Sequence, residues 1–249
     1  MLKMESPQNE TFKKLLGLTS AKGLKAEGWF LLSGEKLIRE FLGKPNLGIK
    51  FEIVGPGMPS LIKDKKVYTD TEIVQLSSAL FAEIDVLGTH FNILVLEQPP
   101  IAALEDFSGY KPRGIEVVMP VGDPGNLGAL IRSCEAFSIP RVILAKEAAH
   151  PFLPRAVKAS AGSVLRMPLT RGPALHDFPE TCIALDTEGT PIDDFKWPAN
   201  GLLVVGEEGI GLGDKTRFRQ RIRIPTKAVE SLNAVVAASI ALYKIRNAQ

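Results

Sequence analysis

Along the first hundred residues, short apolar runs alternate with helical spacings. "GWFLLSGEKLIREFLGK" reads as a strand, a Ser33-Gly34 turn and an amphipathic helix with Leu37, Ile38 and Phe41 on one side. "IKFEIV" and "FNILVLEQ" read as strands, and "DTEIVQLSSALFAEI" as a helix. The periodicity then breaks. "QPPIAALEDFSGYKPRG" carries Pro99, Pro100, Gly109, Pro112 and Gly114, which marks residues 98–114 as a linker between domains at 1–97 and 115–249.

Beyond the linker, strand-like runs recur: "IEVVMP", "RVILA", "VLRMPL", "CIALD", "GLLVVG" and "RIRIP". Helical segments fall between several of them, at 125–137 and 152–160. Continuous apolar runs separated by helices predict an α/β fold with a parallel sheet covered on both faces. The chain closes on "SLNAVVAASIALYKI", apolar nearly all round and therefore predicted to be buried, against the sheet or a second subunit.

Composition narrows the class. With 45% apolar and 23% charged residues, the 249-residue chain is an ordinary soluble globular protein, and no apolar run approaches a membrane span. "MLKMESPQNETFKK" lacks a secretory apolar segment. Cys134 and Cys182 make neither a metal spacing nor a disulfide framework, so both read as core thiols in a reducing cytoplasm. His90, His150 and His176 are isolated. The net charge of +2 is unevenly spread: residues 1–66 hold twelve Lys/Arg against seven Asp/Glu, a net of +5, leaving −3 for the rest. That asymmetry points the N-terminal part towards a polyanion, or towards no more than a solvated basic surface.

Three glycine- and asparagine-bearing segments carry the candidate chemistry. In "VGDPGNLGALIRSCEAF" the glycines Gly122, Gly125 and Gly128 are spaced GxxGxxG, which is not the dinucleotide fingerprint. On a helix, Leu127, Leu130, Ile131, Cys134 and Phe137 share an arc of about 120°. Arg132 lies opposite, flanked by Gly128, Ala129 and Ala136, so it is either a solvated arginine or one that a ligand approaches closely. Asn126 is placed as a helix cap.

In "LLVVGEEGIGLGD" a strand ends at Gly206 and Gly209, Gly211 and Gly213 follow, as suits a ligand edge. No Lys-Ser/Thr pair follows to make a P-loop, and Glu207 and Glu208 would repel a phosphate. "IPTKAVESLNAVVAAS" runs from Pro225 through Ser231, a predicted cap, to Asn233, whose amide in a buried helix would need hydrogen-bond partners. "KTRFRQRIR" puts Lys215, Arg217, Arg219, Arg221 and Arg223 at every second position, one face of a strand, readable as a phosphate track or a solvated strand.

Together these three segments resemble the motifs of the SpoU/TrmH family, the trefoil-knotted SPOUT-class RNA 2′-O-ribose methyltransferases. "GNLGALIRSCEAF" is similar to the first motif, with Asn126 and Arg132 at its marked positions. "GEEGIGL" matches the second, with the family glutamate at Glu208, and "IPTKAVESLNAVVAAS" the third, with Pro225, Ser231, Leu232 and Asn233. The third motif is one residue short and lacks the usual methionine and glycine. The resemblance covers about residues 115–249. More faintly, "FLLSGEKLIREFL" resembles the family's substrate-binding domain, an L30e-like α/β RNA-binding fold.

The resemblance implies a knotted methyltransferase domain that binds S-adenosylmethionine and needs no metal. Carried over by position, Gly206, Ile224, Leu232, Thr187 and Ser231 contact the cofactor. Arg132, Asn126, Glu208 and Asn233 carry catalysis, the first-motif turn facing RNA across a homodimer interface from the neighbouring subunit's pocket. The implied reaction is methyl transfer to a ribose 2′-hydroxyl, of rRNA rather than tRNA. Two rivals stand beside it: a non-catalytic RNA-binding protein of the same fold, and a nucleotide-cofactor oxidoreductase, which lacks its GxGxxG here.

Overall fold

The first unit begins with a strand too short and polar-flanked to show a period. The computed structural model describes residues 1–42, 48–62, 68, 71–206 and 217–248. The chain divides into two units: 1–99 with 150–161, and 100–149 with 162–249. In chain order the first unit has β1 (Leu2–Met4), α1 (Glu10–Gly17), α2 (Ala21–Glu27), β2 (Trp29–Ser33), α3 (Glu35–Phe41), β3 (Ile49–Val54), β4 (Glu72–Leu76), α4 (Ser78–Ile84) and β5 (Ile93–Glu97).

Asn9 and Ser20 cap α1 and α2 by accepting from Phe12 N and Gly23 N. The two helices cross so closely that a Cβ on Gly23 would stand 2.1 Å from Gly17 O, so only glycine fits. The segment read as one helix over "DTEIVQLSSALFAEI" is instead a strand followed by a helix. Ser77 breaks it, its hydroxyl accepting from Leu80 N to start α4.

Among the described residues five strands form this unit's sheet, ordered β1, β4, β3, β5, β2, with parallel pairs on one side and antiparallel pairs on the other. Glu52 on β3 is fully buried and satisfied, accepting from Ser60 Oγ, from Leu61 N at 2.8 Å and from Asn92 Nδ2 at 2.7 Å. That network fixes the loop after β3 against the sheet, and a buried carboxylate without it would be costly.

The second unit opens inside the segment read as linker. β6 (Ala102–Ala103) joins the unit's sheet. Leu104, Phe107 and Tyr110 pack against its core cluster around Phe178, Ala184 and Val204. β7 (Ile115–Met119), α5 (Pro124–Ala136) and β8 (Val142–Leu144) follow. Tyr110 Oη donates to the buried carboxylate of Glu116 on β7 and accepts from Arg141 Nη1 at 3.1 Å. Residues 100–114 thus cluster with the second unit instead of forming a separate tether.

The chain then returns to the first unit, where α6 (Pro154–Ala159) lies against β2 and Phe152 stacks on Phe30 with ring centroids 5.0 Å apart. The helix expected at 152–160 therefore belongs to the first unit, where it packs against β2. Likewise the run "VLRMPL" is not one strand. Gly162, in the left-handed region at φ 82, opens a 3-10 turn over Ser163–Leu165, and β9 (Leu169–Arg171) starts only afterwards.

β10 (Ile183–Asp186), β11 (Thr190–Pro191), β12 (Gly201–Val205), β13 (Gln220–Arg223) and α7 (Ala234–Ala248) complete the unit. Among the described residues eight strands pair in the order β11, β13, β10, β12, β7, β8, β9, β6, every pair parallel. This is the predicted α/β arrangement, and its parallel strands are buried as such sheets must be: β7 is buried at all five positions. On α5, Leu127, Leu130, Ile131 and Cys134 are fully buried, each aliphatic side chain stabilising the fold by about 1.5–3 kcal/mol.

The terminal helix departs from its reading. Ala238, Ala241, Leu242 and Ile245 are buried, but Val236 is 48% and Tyr243 51% exposed, so an apolar face remains open in the single chain. Among the described residues no helix is long and apolar enough to cross a membrane.

Candidate functional site

Parallel strands bring their carboxyl ends to one edge of a sheet, where ligands of open α/β folds bind. Three of the predicted cofactor residues meet there. β10 lies between β12 and β13, with Leu185 opposite both Val205 and Ile222, and Asp186 opposite Arg223. Gly206, Thr187 and Ile224 are the residues that follow, so they leave neighbouring strands at nearly the same level. Gly206 and Ile224 are half-buried and Thr187 is exposed. Thr187 is held by its neighbour: its N–H and Oγ1 donate to Asp186 Oδ1 at 2.6 and 3.3 Å. The Asp186 side chain is only 2% exposed and stands 3.8 Å from Arg221 Nη1. Glu208 lies outside the described residues, as do Glu207 and Gly209, Gly211 and Gly213.

α5 leaves β7, the next strand in the sheet, and places Asn126 and Arg132. The predicted cap is displaced. Asp123 caps the helix, accepting from Asn126 N at 2.8 Å, with Pro124 in the first turn where its missing N–H costs nothing. Asn126 therefore sits inside the first turn, half-buried, and its side chain makes no hydrogen bond among the described residues. The Asp-Pro pair is a local signal for that cap that the glycine pattern masked.

Arg132 is exposed and has no ion pair or hydrogen bond among the described residues. Flanking it, the helix is held on both sides. Ser133 Oγ lies 2.8 Å from Ser239 Oγ on α7, and Glu135 is bound by the turn at 163–166. No local pattern announces either tie, because the partners lie far apart in sequence.

The third segment is corrected most. Ser231 is exposed and does not cap α7; Asn233 does, its Oδ1 accepting from Val235 N at 2.9 Å and Val236 N at 3.3 Å. Asn233 is exposed, not buried, and Leu232 is half-buried. The cap falls to Asn233 because a capping oxygen must reach the second and third amides of the helix, and α7 starts at Ala234.

The alternating arginines find partners within their own unit. Arg217 donates to Leu175 O at 2.7 Å and to Phe178 O, and Arg219 pairs with Glu180 at 3.1 Å. Arg221 pairs with Glu188 at 3.2 Å and Arg223 Nε donates to Gly189 O at 3.1 Å. Gly189, at φ 121, could carry no side chain there, since a Cβ would stand 2.3 Å from Arg221 O. These bonds tie the segment to its own unit, Arg221 and Arg223 from strand β13 and Arg217 and Arg219 from the residues before it; Lys215 lies outside the described residues.

Burial pushes the Cys182 thiol up to about 12 and the Cys134 thiol higher still, so neither is a nucleophile at neutral pH. Among the described residues no group of His, Cys, Asp and Glu could hold a metal ion.

The SpoU rRNA Methylase family model matches residues 115–243, just over half of the chain and all three candidate segments. The chain belongs to the SpoU rRNA methylase family. It is 38% identical over 245 residues to the ribosomal RNA small subunit methyltransferase G 2 of Syntrophobacter fumaroxidans, a match that spans 97% of this chain but only 48% of that relative. The name of that relative therefore describes a protein about twice as long. The 23S rRNA (guanosine(2553)-2'-O)-methyltransferase RlmP of Bacillus subtilis is 27% identical over 99% of this chain and 100% of its own length. Among solved structures, the AdoMet-bound rRNA methyltransferase from Sinorhizobium meliloti superposes with a TM-score of 0.76 at 22% identity, covering 98% and 97% of the two chains. At that identity the SpoU likeness speaks for the fold alone.

Proposed function

We propose that this SpoU family member is a cytoplasmic, S-adenosylmethionine-dependent RNA methyltransferase acting on a ribose 2′-hydroxyl of rRNA. Its second unit is a trefoil-knotted SPOUT domain that works as a homodimer. Its first is an L30e-like RNA-binding domain recruiting the substrate. The observation that carries the reading is the common level of Gly206, Thr187 and Ile224 at the ends of three adjacent parallel strands. That edge fits the cofactor: Gly206 presents backbone without a side chain, Ile224 presents an apolar surface, and both are partly sheltered.

S-adenosylmethionine, when bound, supplies an electrophilic methyl group on sulfur. Gly206, Ile224 and Leu232 would hold it through backbone and apolar groups, with Thr187 and Ser231 as further contacts. The ribose must then be held with its 2′-oxygen in line, and such orientation is worth up to about 7–11 kcal/mol of barrier. Arg132 binds the phosphate next to that ribose and stabilises the oxygen as it loses its proton. It is not the base, because a guanidinium does not give up its proton in proteins. The proton passes to a phosphate oxygen or to water. Asn126, Glu208 and Asn233 orient these groups, Asn233 through the start of the helix it caps. Exposed on its own chain, Arg132 serves the partner subunit's pocket across a dimer interface that also covers Val236 and Tyr243.

Three measurements test this. Calorimetric titration should show S-adenosylmethionine binding, and tritiated methyl transferred to rRNA should be recovered in alkali-resistant dinucleotides, since 2′-O-methylation blocks alkaline cleavage. Label in alkali-labile mononucleotides would move the reaction to a base, and absence of cofactor binding would leave a non-catalytic RNA-binding protein. Label on tRNA but not rRNA would overturn the substrate. Light scattering should give twice the 27.0 kDa chain mass; a monomer with full activity would remove the dimer.

A further inference from the structure

Arg132 and Glu135 lie three residues apart on α5, about 60° apart around the helix, within reach of an ion pair. Here they do not. Glu135 is taken by a fork: Arg166 Nε donates to Oε1 at 2.6 Å and Arg166 Nη2 to Oε2 at 2.8 Å, while Ser163 Oγ donates to Oε2 at 2.5 Å. Both side chains of the ion pair are about one-third exposed, so the pair is within reach of solvent. A bidentate guanidinium–carboxylate pair is the strongest charged contact that the carboxylate has available. It also cancels a negative charge beside the one exposed cation of this helix face, where an RNA phosphate would otherwise be repelled.

We propose that Arg166 and Ser163 form a charge latch that withdraws Glu135 from Arg132 and so keeps the Arg132 guanidinium available to RNA phosphate. The latch residues are positioning residues, acting through Glu135, and the proposal rests on the RNA-facing role of Arg132 given above. The turn at 163–165 serves the reaction without touching either substrate. Opening the latch frees Glu135 to pair with Arg132 and to oppose the phosphate.

The test compares wild type with Arg166→Ala, Arg166→Lys, Glu135→Gln and the Glu135→Gln/Arg166→Ala double variant, read by kcat/KM for methyl transfer and by affinity for total rRNA. Arg166→Ala should lower both by about two- to tenfold, with S-adenosylmethionine affinity within about twofold of wild type. Adding Glu135→Gln should restore both, because the offending charge is gone. The deficit of Arg166→Ala relative to wild type should also shrink as salt screens the freed carboxylate. Arg166→Lys keeps the charge in a variant that conserves bulk, and should stay nearer to wild type than Arg166→Ala.

If Arg166 touched RNA itself, or merely tied the turn to α5, the double variant would remain as impaired as Arg166→Ala, and the latch would be overturned. Should wild type transfer no methyl group, the proposed reaction falls. The rRNA affinities still decide the latch in that case: rescue in the double variant supports it and no rescue overturns it.

Discussion

The hydroxyls of Ser133 and Ser239 lie 2.8 Å apart, joining the helix that carries Arg132 to the helix that follows the third motif. Ser239 Oγ also donates to Val235 O at 2.7 Å, so Ser133 supplies the proton to the bond between the helices. Below it, Phe137 meets Tyr243 edge-on with ring centroids 6.1 Å apart. Ser133→Ala should therefore destabilise the protein by about 0.5–1.5 kcal/mol in denaturant unfolding, the usual worth of a hydrogen bond. Ser239→Ala in the same background should add much less than it costs alone. Strictly additive losses would mean that the two hydroxyls do not interact.

Asn233 is both a family position and a helix cap, and substitutions separate the roles. Asn233→Ala should cost about 0.5–2 kcal/mol of stability by unmaking the bonds to Val235 N and Val236 N. Asn233→Asp and Asn233→Ser keep a capping oxygen and should recover most of that loss. If they recover stability but not methyl transfer, the amide also serves the ligand. If either recovers turnover fully, capping is all that Asn233 does.

Much of the second unit is legible in the sequence, because parallel strands buried on both faces must be continuous apolar runs. Five of the six runs after residue 114 are strands there, from Ile115–Met119 to Gln220–Arg223. The sixth, "VLRMPL", fails because Gly162 sets up a 3-10 turn whose Val164 is buried like a strand residue. In the first unit β1, α1 and α2 escape notice, being short and partly polar. β4 and α4 fuse into one apparent helix because a five-residue alternation runs straight into a helical spacing at Ser77.

At the candidate site, the strand-end glycine and the motif residues are readable, but their environments are not. Asn233 looks buried from its apolar neighbours, yet it precedes the helix and stays in solvent. Arg166 gives no hint of Glu135, since nothing local links residues 31 positions apart.

Tyr110 predicts a pH response. Burial, followed by its hydrogen bond to the Glu116 carboxylate, raises the phenol to about 12 from an ordinary 10. The folded state thus keeps a proton that the unfolded state loses near pH 10, so the stabilisation is complete below pH 10 and is lost as pH rises through about 12. Unfolding free energy of wild type should fall over that window, and Tyr110→Phe should fall less steeply while starting lower at neutral pH. Parallel curves would mean that Tyr110 is not anchored to Glu116.

Arg132 decides the mechanism. It is exposed on α5 opposite Leu127, Leu130, Ile131 and Cys134, and pairs with nothing among the described residues. Arg132→Ala should leave stability within about 0.5 kcal/mol of wild type, as for other surface changes away from packing or charge networks. Cofactor affinity should stay within about twofold, because the side chain is assigned to phosphate and ribose rather than to the strand-end pocket. Turnover on RNA should drop by on the order of 10²–10³, the loss expected when one donor to a developing oxyanion is removed. Arg132→Lys then separates charge from geometry, since lysine keeps the cation but loses the planar fork. Full activity in Arg132→Lys would make charge sufficient, and inactivity equal to alanine would make the fork essential. Near-normal turnover in Arg132→Ala would reduce Arg132 to a solvated surface residue and remove it from the reaction.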